Sequence, residues 1–349
     1  MIAIGAHLVG SVPLPDANAV FRSVAATLGP SLARIPDGET GVRKDWIAWQ
    51  YAVLVATPGL EPISVGDRNY LRRQLVHLTG DRAAPRFGSL GYADAALASF
   101  AIFDHLQRNG VIPAGVRFQV SLPTPLAPLT VFVDLGDRAI VEPAYEAQMF
   151  AELGRIVDGI PHDRLAIQWD VAAEVGLVEG AWPAHFDDVE RGALDRLARL
   201  GAAVPRDVEL GYHLCYGDFG HRHFTNPVDA SALVRLANAL AALPRRLAWI
   251  HMPVPLAWVT AAAYAPLAEL TVAAPTDLYL GLIHVADGLD GACRRIALAG
   301  EVVPRFGIAT ECGWGRRPAD SVQPLLALHV EALRAMGQLS APSSTTLRA

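Results

Sequence analysis

The run Gly211-Tyr212-His213-Leu214-Cys215-Tyr216-Gly217 sets an imidazole and a thiol one residue apart. It reads as a strand end, and side chains two apart on a strand share a face. His213 and Cys215 can therefore meet one ion. A second thiol follows far downstream in Ala309-Thr310-Glu311-Cys312-Gly313, where another strand runs into a glycine-containing loop. If the two strand ends are neighbours, the chain holds a soft nitrogen-and-sulfur site, and zinc is the ion such a set favours. His-x-Cys alone carries little weight, because cysteine is often a small buried hydrophobe and histidine a satisfied core residue. The third ligand at a matching strand end gives it content. Asp170 closes the apolar run Gln168-Trp169-Asp170. An unpaired buried carboxylate is costly, so Asp170 is expected to meet a cation, a ligand amine or backbone donors, or else to cap the next helix. Glu39 sits in the glycine-flanked loop Gly38-Glu39-Thr40-Gly41, where solvation explains it as well as function does. His221 and His223 are also metal-competent but read as loop-positioning residues. Trp46 and Trp49 are expected on a helix face, as core or mouth-lining residues rather than a stacking platform, and Cys293 is expected to pack inside an amphipathic helix.

These groups need a scaffold that gathers strand ends. Short apolar, β-branched runs alternate with longer amphipathic ones along the chain. The strands are expected at Ile4 to Val9, Leu32 to Ile35, Phe118 to Ser121, Leu165 to Asp170, Val208 to Cys215, Leu247 to Met252, Leu278 to Val285 and Val303 to Thr310. Helices are expected at Ala17 to Leu28, Gly91 to Asn109, Tyr145 to Ile160, Phe186 to Leu200, Ser231 to Leu243, Asp290 to Ala299 and Val322 to Met336. Eight βα units predict an α/β chain folded as a single (β/α)8 TIM barrel. A doubly wound sheet is the rival, but no G-x-G-x-x-G follows the first strand. Residues 1–339 are expected to form the barrel and 340–349 a flexible tail. Pro58 to Ser89 reads as an inserted excursion over the C-terminal mouth, and Leu129 to Val141 as a second one, drawn as a hairpin. In such a barrel the catalytic groups come from the C-terminal strand ends. Those ends here carry Ser11, Glu39, Asp170, His213, Cys215, His251, His284, Asp287, Glu311 and Cys312, while the strand interiors stay apolar.

Composition removes other classes. The net charge is −6 and no Lys/Arg block occurs, which argues against a nucleic-acid partner. No apolar run is long enough to span a bilayer, so no membrane partner is expected. Three cysteines do not make a disulfide framework, and no basic n-region with a cleavage site opens the chain. A reducing cytoplasm is the expected compartment.

Together, His213-Leu214-Cys215-Tyr216, Glu311-Cys312-Gly313, Gln168-Trp169-Asp170 and Val9-Gly10-Ser11 resemble the catalytic, C-terminal domain of cobalamin-independent methionine synthase. The form is that of a short, single-barrel member of the uroporphyrinogen decarboxylase/methionine synthase-like superfamily. The resemblance runs from the first strand to the last barrel helix. It implies a (β/α)8 barrel in which zinc binds the homocysteine thiol and a methyl group passes to it from methyl-folate. It also implies roles: His213, Cys215 and Cys312 as zinc ligands, Asp170 on the substrate ammonium, Glu39 as a second acidic contact, and Ser11 with the Gly10 backbone on the substrate carboxylate. The family's remaining ligand, a Glu at the end of strand six, falls at Trp249-Ile250-His251-Met252-Pro253. His251 is the ligand-capable residue there, giving an expected His2Cys2 set. The family's Asp-x-His is out of register with Ile283-His284-Val285-Ala286-Asp287, and His284, Asp287 and Glu311 are the candidates to protonate the donor's leaving nitrogen.

The expected activity is zinc-dependent methyl transfer to a small thiol or a related soft nucleophile, with an amino-acid-like substrate. The donor is left open among methyl-folate, a methylated corrinoid carried by another protein, and a small methylated metabolite. Two other classes stay open: a metal-dependent hydrolase or lyase, and a ligand-binding relative without turnover.

Overall fold

The computed structural model describes residues 2–64 and 74–337. In chain order its elements are β1 (Ile2–Ala6), α1 (Ala17–Leu28), β2 (Arg34–Pro36), α2 (Gln50–Val55), β3 (Leu60–Ser64), β4 (Gln74–Leu78), α3 (Tyr92–Arg108), β5 (Arg117–Pro123), α4 (Leu126–Phe132), α5 (Arg138–Gly159), β6 (Leu165–Val171), α6 (Ala173–Val178), α7 (Val189–Ala203), β7 (Glu209–Leu214), α8 (Ser231–Ala241), β8 (Trp249–Pro253), α9 (Ala261–Tyr264), β9 (Asp277–Ile283), α10 (Gly288–Val302), β10 (Arg305–Thr310) and α11 (Val322–Ala335). Eight strands form one curled parallel sheet in the order β1-β10-β9-β8-β7-β6-β5-β2. A parallel bridge between Ala6 and Leu32 also joins the first strand to the residues leading into β2. All eight strands expected from the sequence belong to this sheet.

The strands form because parallel sheets are covered on both faces and read as near-continuous apolar runs. β6, Leu-Ala-Ile-Gln-Trp-Asp-Val, is buried along its whole length. Helices cover the outer face. Asp16 caps α1 by accepting the Ala19 N–H at 2.8 Å, and the helix then buries Val20, Phe21, Val24 and Leu28. The Phe21, Phe103 and Phe118 rings meet at 5.5–6.0 Å between α1, α3 and β5. Each such side chain contributes about 1.5–3 kcal/mol through burial. The inner face is unusually polar, with Gln119, Gln168, His213 and His251 each at most 2% exposed. Gln119 and Gln168 both donate to the Val9 carbonyl, at 3.0 and 2.6 Å, which ties the end of the first unit to the opposite side of the sheet.

Three expectations change. The first strand ends at Ala6, so 7–11 is loop that passes over the sheet. The stretch drawn as a hairpin at Leu129 to Val141 is instead α4, a turn and the start of α5. α5 starts at Arg138, seven residues ahead of the expected start at Tyr145, and runs through Pro143. Proline breaks one helical hydrogen bond, but a 22-residue helix with a buried face absorbs that loss. The excursion at Pro58 to Ser89 contains the antiparallel pair β3 and β4. It sits behind α4, where Val76 bridges Val133 and the Leu78 N–H donates to Asp137 at 2.8 Å. None of its described residues lines the pocket at the sheet mouth. Residues 65–73 of that excursion and the expected tail 340–349 lie outside the described residues.

Candidate functional site

His213 is next to last in β7, Cys215 follows that strand, and Cys312 lies two residues past β10. The curl of the sheet brings their potential ligand atoms within 4.8 Å of one another. The two sulfurs are 3.6 Å apart, and the Gly217 N–H donates to Cys215 Sγ at 3.2 Å. The Cys312 thiol is held well above its ordinary value, first by its contact with Cys215 and then by burial. Two thiols so close do not both ionise unless a cation stands with them. Burial keeps the His213 imidazole neutral, well below its ordinary value. Its Nε2 is buried with no hydrogen-bond partner. A lone pair left bare in a dry site beside two thiols suits a divalent ion that takes nitrogen and sulfur ligands. The donor set therefore fits zinc.

His251 is not one of this trio. It pairs with His213 across β7 and β8, and the two Nδ1 atoms are 2.7 Å apart. Its Nε2 lies 3.0 Å from the Thr310 carbonyl. Both ring nitrogens thus have partners. All three residues of the trio line the pocket.

That pocket has a volume of about 210 Å³ and is lined by His213, Cys215 and Cys312 together with Ser11, Glu39 and Asp170. Asp170 stands beside His213 in register on β6. Burial pushes its carboxyl up to about 7, against hydrogen bonds from Gln168 and Trp46 that favour the charged form. Burial and then the Asp170 charge push Glu39 well above its ordinary range. The carboxyl of Glu39 reaches in over Gly10, where an added Cβ would lie 2.3 Å from Glu39 Oε1. Two carboxyls so placed accept a cation readily, because an ammonium restores the charge that burial disfavours. Ser11 Oγ accepts the Gly315 N–H at 3.1 Å. Arg316 also lines the pocket, paired with Asp45.

The three expected acid groups lie apart from the pocket lining. Glu311 bridges two imidazoles, with His223 Nε2 at 3.2 Å and His284 Nδ1 at 3.4 Å. The other nitrogen of His284 lies 2.9 Å from the Val254 carbonyl. Asp287 precedes α10 and is held by two bonds from Arg295, at 2.7 and 2.8 Å. That clamp ties it to the helix, away from the thiols.

Sequence reasoning missed several contributors. His223, expected only to position its loop, meets Glu311; the His-x-His pattern with His221 is the signal in the sequence. Trp46 lines the mouth as expected, but not from a helix face. It instead follows a 3-10 turn (Gly41–Asp45) with φ 51° and donates to Asp170. Trp49 packs against Tyr92 with ring centroids 4.9 Å apart. Cys293 is a free, half-buried thiol on α10.

No protein-family model and no curated protein matches the chain. Among solved structures it is similar in fold to a B12-independent methionine synthase from Shewanella sp. W3-18-1, determined in complex with selenomethionine. The TM-score is 0.67 at 13% identity, over 97% of this chain and 98% of that one. It is also similar to a putative vitamin-B12 independent methionine synthase from Listeria monocytogenes, with a TM-score of 0.58 at 13% identity, over 98% of this chain and 100% of that one. Among the described residues, no helix is long and apolar enough to cross a membrane.

Proposed function

We propose that the chain is a (β/α)8 barrel over residues 1–339 that acts as a zinc-dependent methyltransferase on a small thiol or related soft nucleophile. The convergence of His213, Cys215 and Cys312 beside a pocket with two buried carboxyls is the observation that carries this reading. The fold likeness to a synthase solved with selenomethionine supports an amino-acid-sized acceptor by analogy of fold alone. Zinc held by His213, Cys215 and Cys312 supplies a Lewis acid that keeps an incoming thiol ionised at neutral pH.

The protein's own groups do the rest. Asp170 and Glu39 receive the acceptor's ammonium. Ser11, with the loop backbone beside it, faces the carboxylate. Fixing acceptor and donor in line can lower the barrier by several kcal/mol, up to ~10. With a methyl-folate donor, the acceptor sulfur forms a bond to the methyl carbon as the donor's nitrogen–carbon bond breaks, and the electron pair stays on nitrogen. That nitrogen needs a proton, and the His223–Glu311–His284 cluster, whose carboxyl directly precedes Cys312 in the chain, is the acid–base group assigned to it. Asp287 stays a helix clamp in this reading. The donor is a methyl-folate, a corrinoid-bound methyl or a small methylated metabolite, and the free thiols suit a reducing compartment such as the cytoplasm.

The test is metal content and thiol response. Wild-type protein should carry one zinc per chain, and Cys215→Ser with Cys312→Ser should carry none. Cobalt-substituted wild type should change its absorption when a small aminothiol such as homocysteine is added. Full zinc retention by the double variant rules the site out. An unchanged spectrum with thiol favours the second reading, a metal-dependent hydrolase or lyase, which a metal held by the trio and the acid–base cluster would also serve.

A further inference from the structure

We infer that His251 is a positioning residue which sets the tautomer of His213, so that the metal centre is a three-ligand His-Cys-Cys site with a carbonyl-anchored histidine relay behind it. The inference rests on the metal-binding reading above and adds to it the role of a residue that the ligand set leaves out.

The proton positions follow from partner chemistry. The Thr310 carbonyl can only accept, so His251 Nε2, 3.0 Å away, must carry the hydrogen. A neutral imidazole has one N–H, so His251 Nδ1 is a bare acceptor. His213 Nδ1, 2.7 Å from it, must then be the donor. That spends the single hydrogen of His213 and leaves Nε2 as a lone pair. This is the buried nitrogen with no partner, on the residue that converges with the two thiols. The opposite assignment puts an N–H with no acceptor in a site where His213 is 2% exposed and His251 is 0% exposed. An unpaired buried donor costs about 1–3 kcal/mol. The chain of bonds thus has one self-consistent direction, from His213 through His251 to the backbone of β10. β10 also leads into Cys312, so one strand end carries a ligand and anchors the orientation of another.

The geometry also says why His251 is not a ligand itself. A ring that bonds the carbonyl through Nε2 and His213 through Nδ1 has no free lone pair. Metal-bound histidines are commonly oriented by a carboxylate, carbonyl or water on the far nitrogen. Here a second imidazole takes that place and passes the task on to β10, two strands further in the sheet.

Glutamine separates the two possible roles of position 251. Its side-chain oxygen can accept from His213 and its amide nitrogen can donate to the Thr310 carbonyl, but it is a poor zinc ligand. The full-length protein is compared as wild type, His251→Gln and His251→Leu. The readouts are zinc affinity by chelator competition, cobalt absorption, and the count of imidazoles around zinc by X-ray absorption. Expected are one imidazole and two sulfurs in wild type, affinity in His251→Gln within a factor of about three of wild type, and a loss of about 10–100-fold in His251→Leu. Two imidazoles at the wild-type zinc overturn the inference. So does His251→Gln falling as far as His251→Leu, or His251→Leu binding like wild type. Wild-type protein that takes up no metal overturns the metal-binding reading itself and is seen before any variant is made.

Discussion

Glu174, the second residue of α6, is fully buried. Burial pushes its carboxyl up to about 7, and both of its oxygens are buried with no hydrogen-bond partner. In the unfolded chain the same group loses its proton near its ordinary 4.5. Between those values the folded state holds one proton more than the unfolded state. Stability therefore falls as pH rises through that window, by up to about 1.4 kcal/mol per unit for this one group. Urea unfolding of Glu174→Gln and wild type should converge below about pH 4.5, and the variant should gain on wild type from there to about pH 7. A difference that stays flat across the window would sink the argument. Asp170, also at about 7, adds to the wild-type slope in the same direction. Its substitution to Asn should in addition weaken ammonium-bearing ligands, because the pocket then keeps Glu39 as its one carboxyl at that contact.

The strands position the site through register. Gly211 lies opposite Trp249, and a Cβ there would sit 2.0 Å from the Trp249 ring. The ring can lie over β7 because position 211 has no side chain. Gly211→Ala should cost about 1–3 kcal/mol by overpacking. It should also lower zinc affinity, because Trp249 and His251 are two apart on β8 and move together. Unchanged stability by denaturant titration together with unchanged metal affinity would show that β8 yields without disturbing its partner. Register also explains the histidine pair. His213 faces Asp170 on one side and His251 on the other, so adjacent strands about 4.8 Å apart deliver a carboxyl and two imidazoles to one layer. Periodicity located these strands in the sequence but could not say which residue of one meets which of the next. The same limit hid the reach of α5, because a proline near its start reads as a boundary unless the buried face beyond it is known.

The proposed metal site spans the ends of β7 and β10, strands 96 residues apart from the start of one to the start of the other, so an ion there would link distant parts of the molecule. Zinc at about 1,000 times its dissociation constant should stabilise the folded chain by about 4 kcal/mol. The gain should appear as a higher denaturation midpoint in wild type and be absent from the Cys215→Ser, Cys312→Ser double variant. Equal shifts in both proteins would assign the effect to adventitious sites. The sequence alone determined the alternation of eight strands with helices and the gathering of polar groups at one set of strand ends, because both are written in local hydrophobic periodicity. It also named the three residues the fold brings together. Tertiary structure alone decided the pairing of His251 with His213, the approach of Glu39 to Asp170, and the bridge from Glu311 to His223 and His284. Those contacts depend on strand register and on loop backbone, including the positive φ of Glu39 and Trp46, which packing from distant segments imposes and no neighbouring residue encodes.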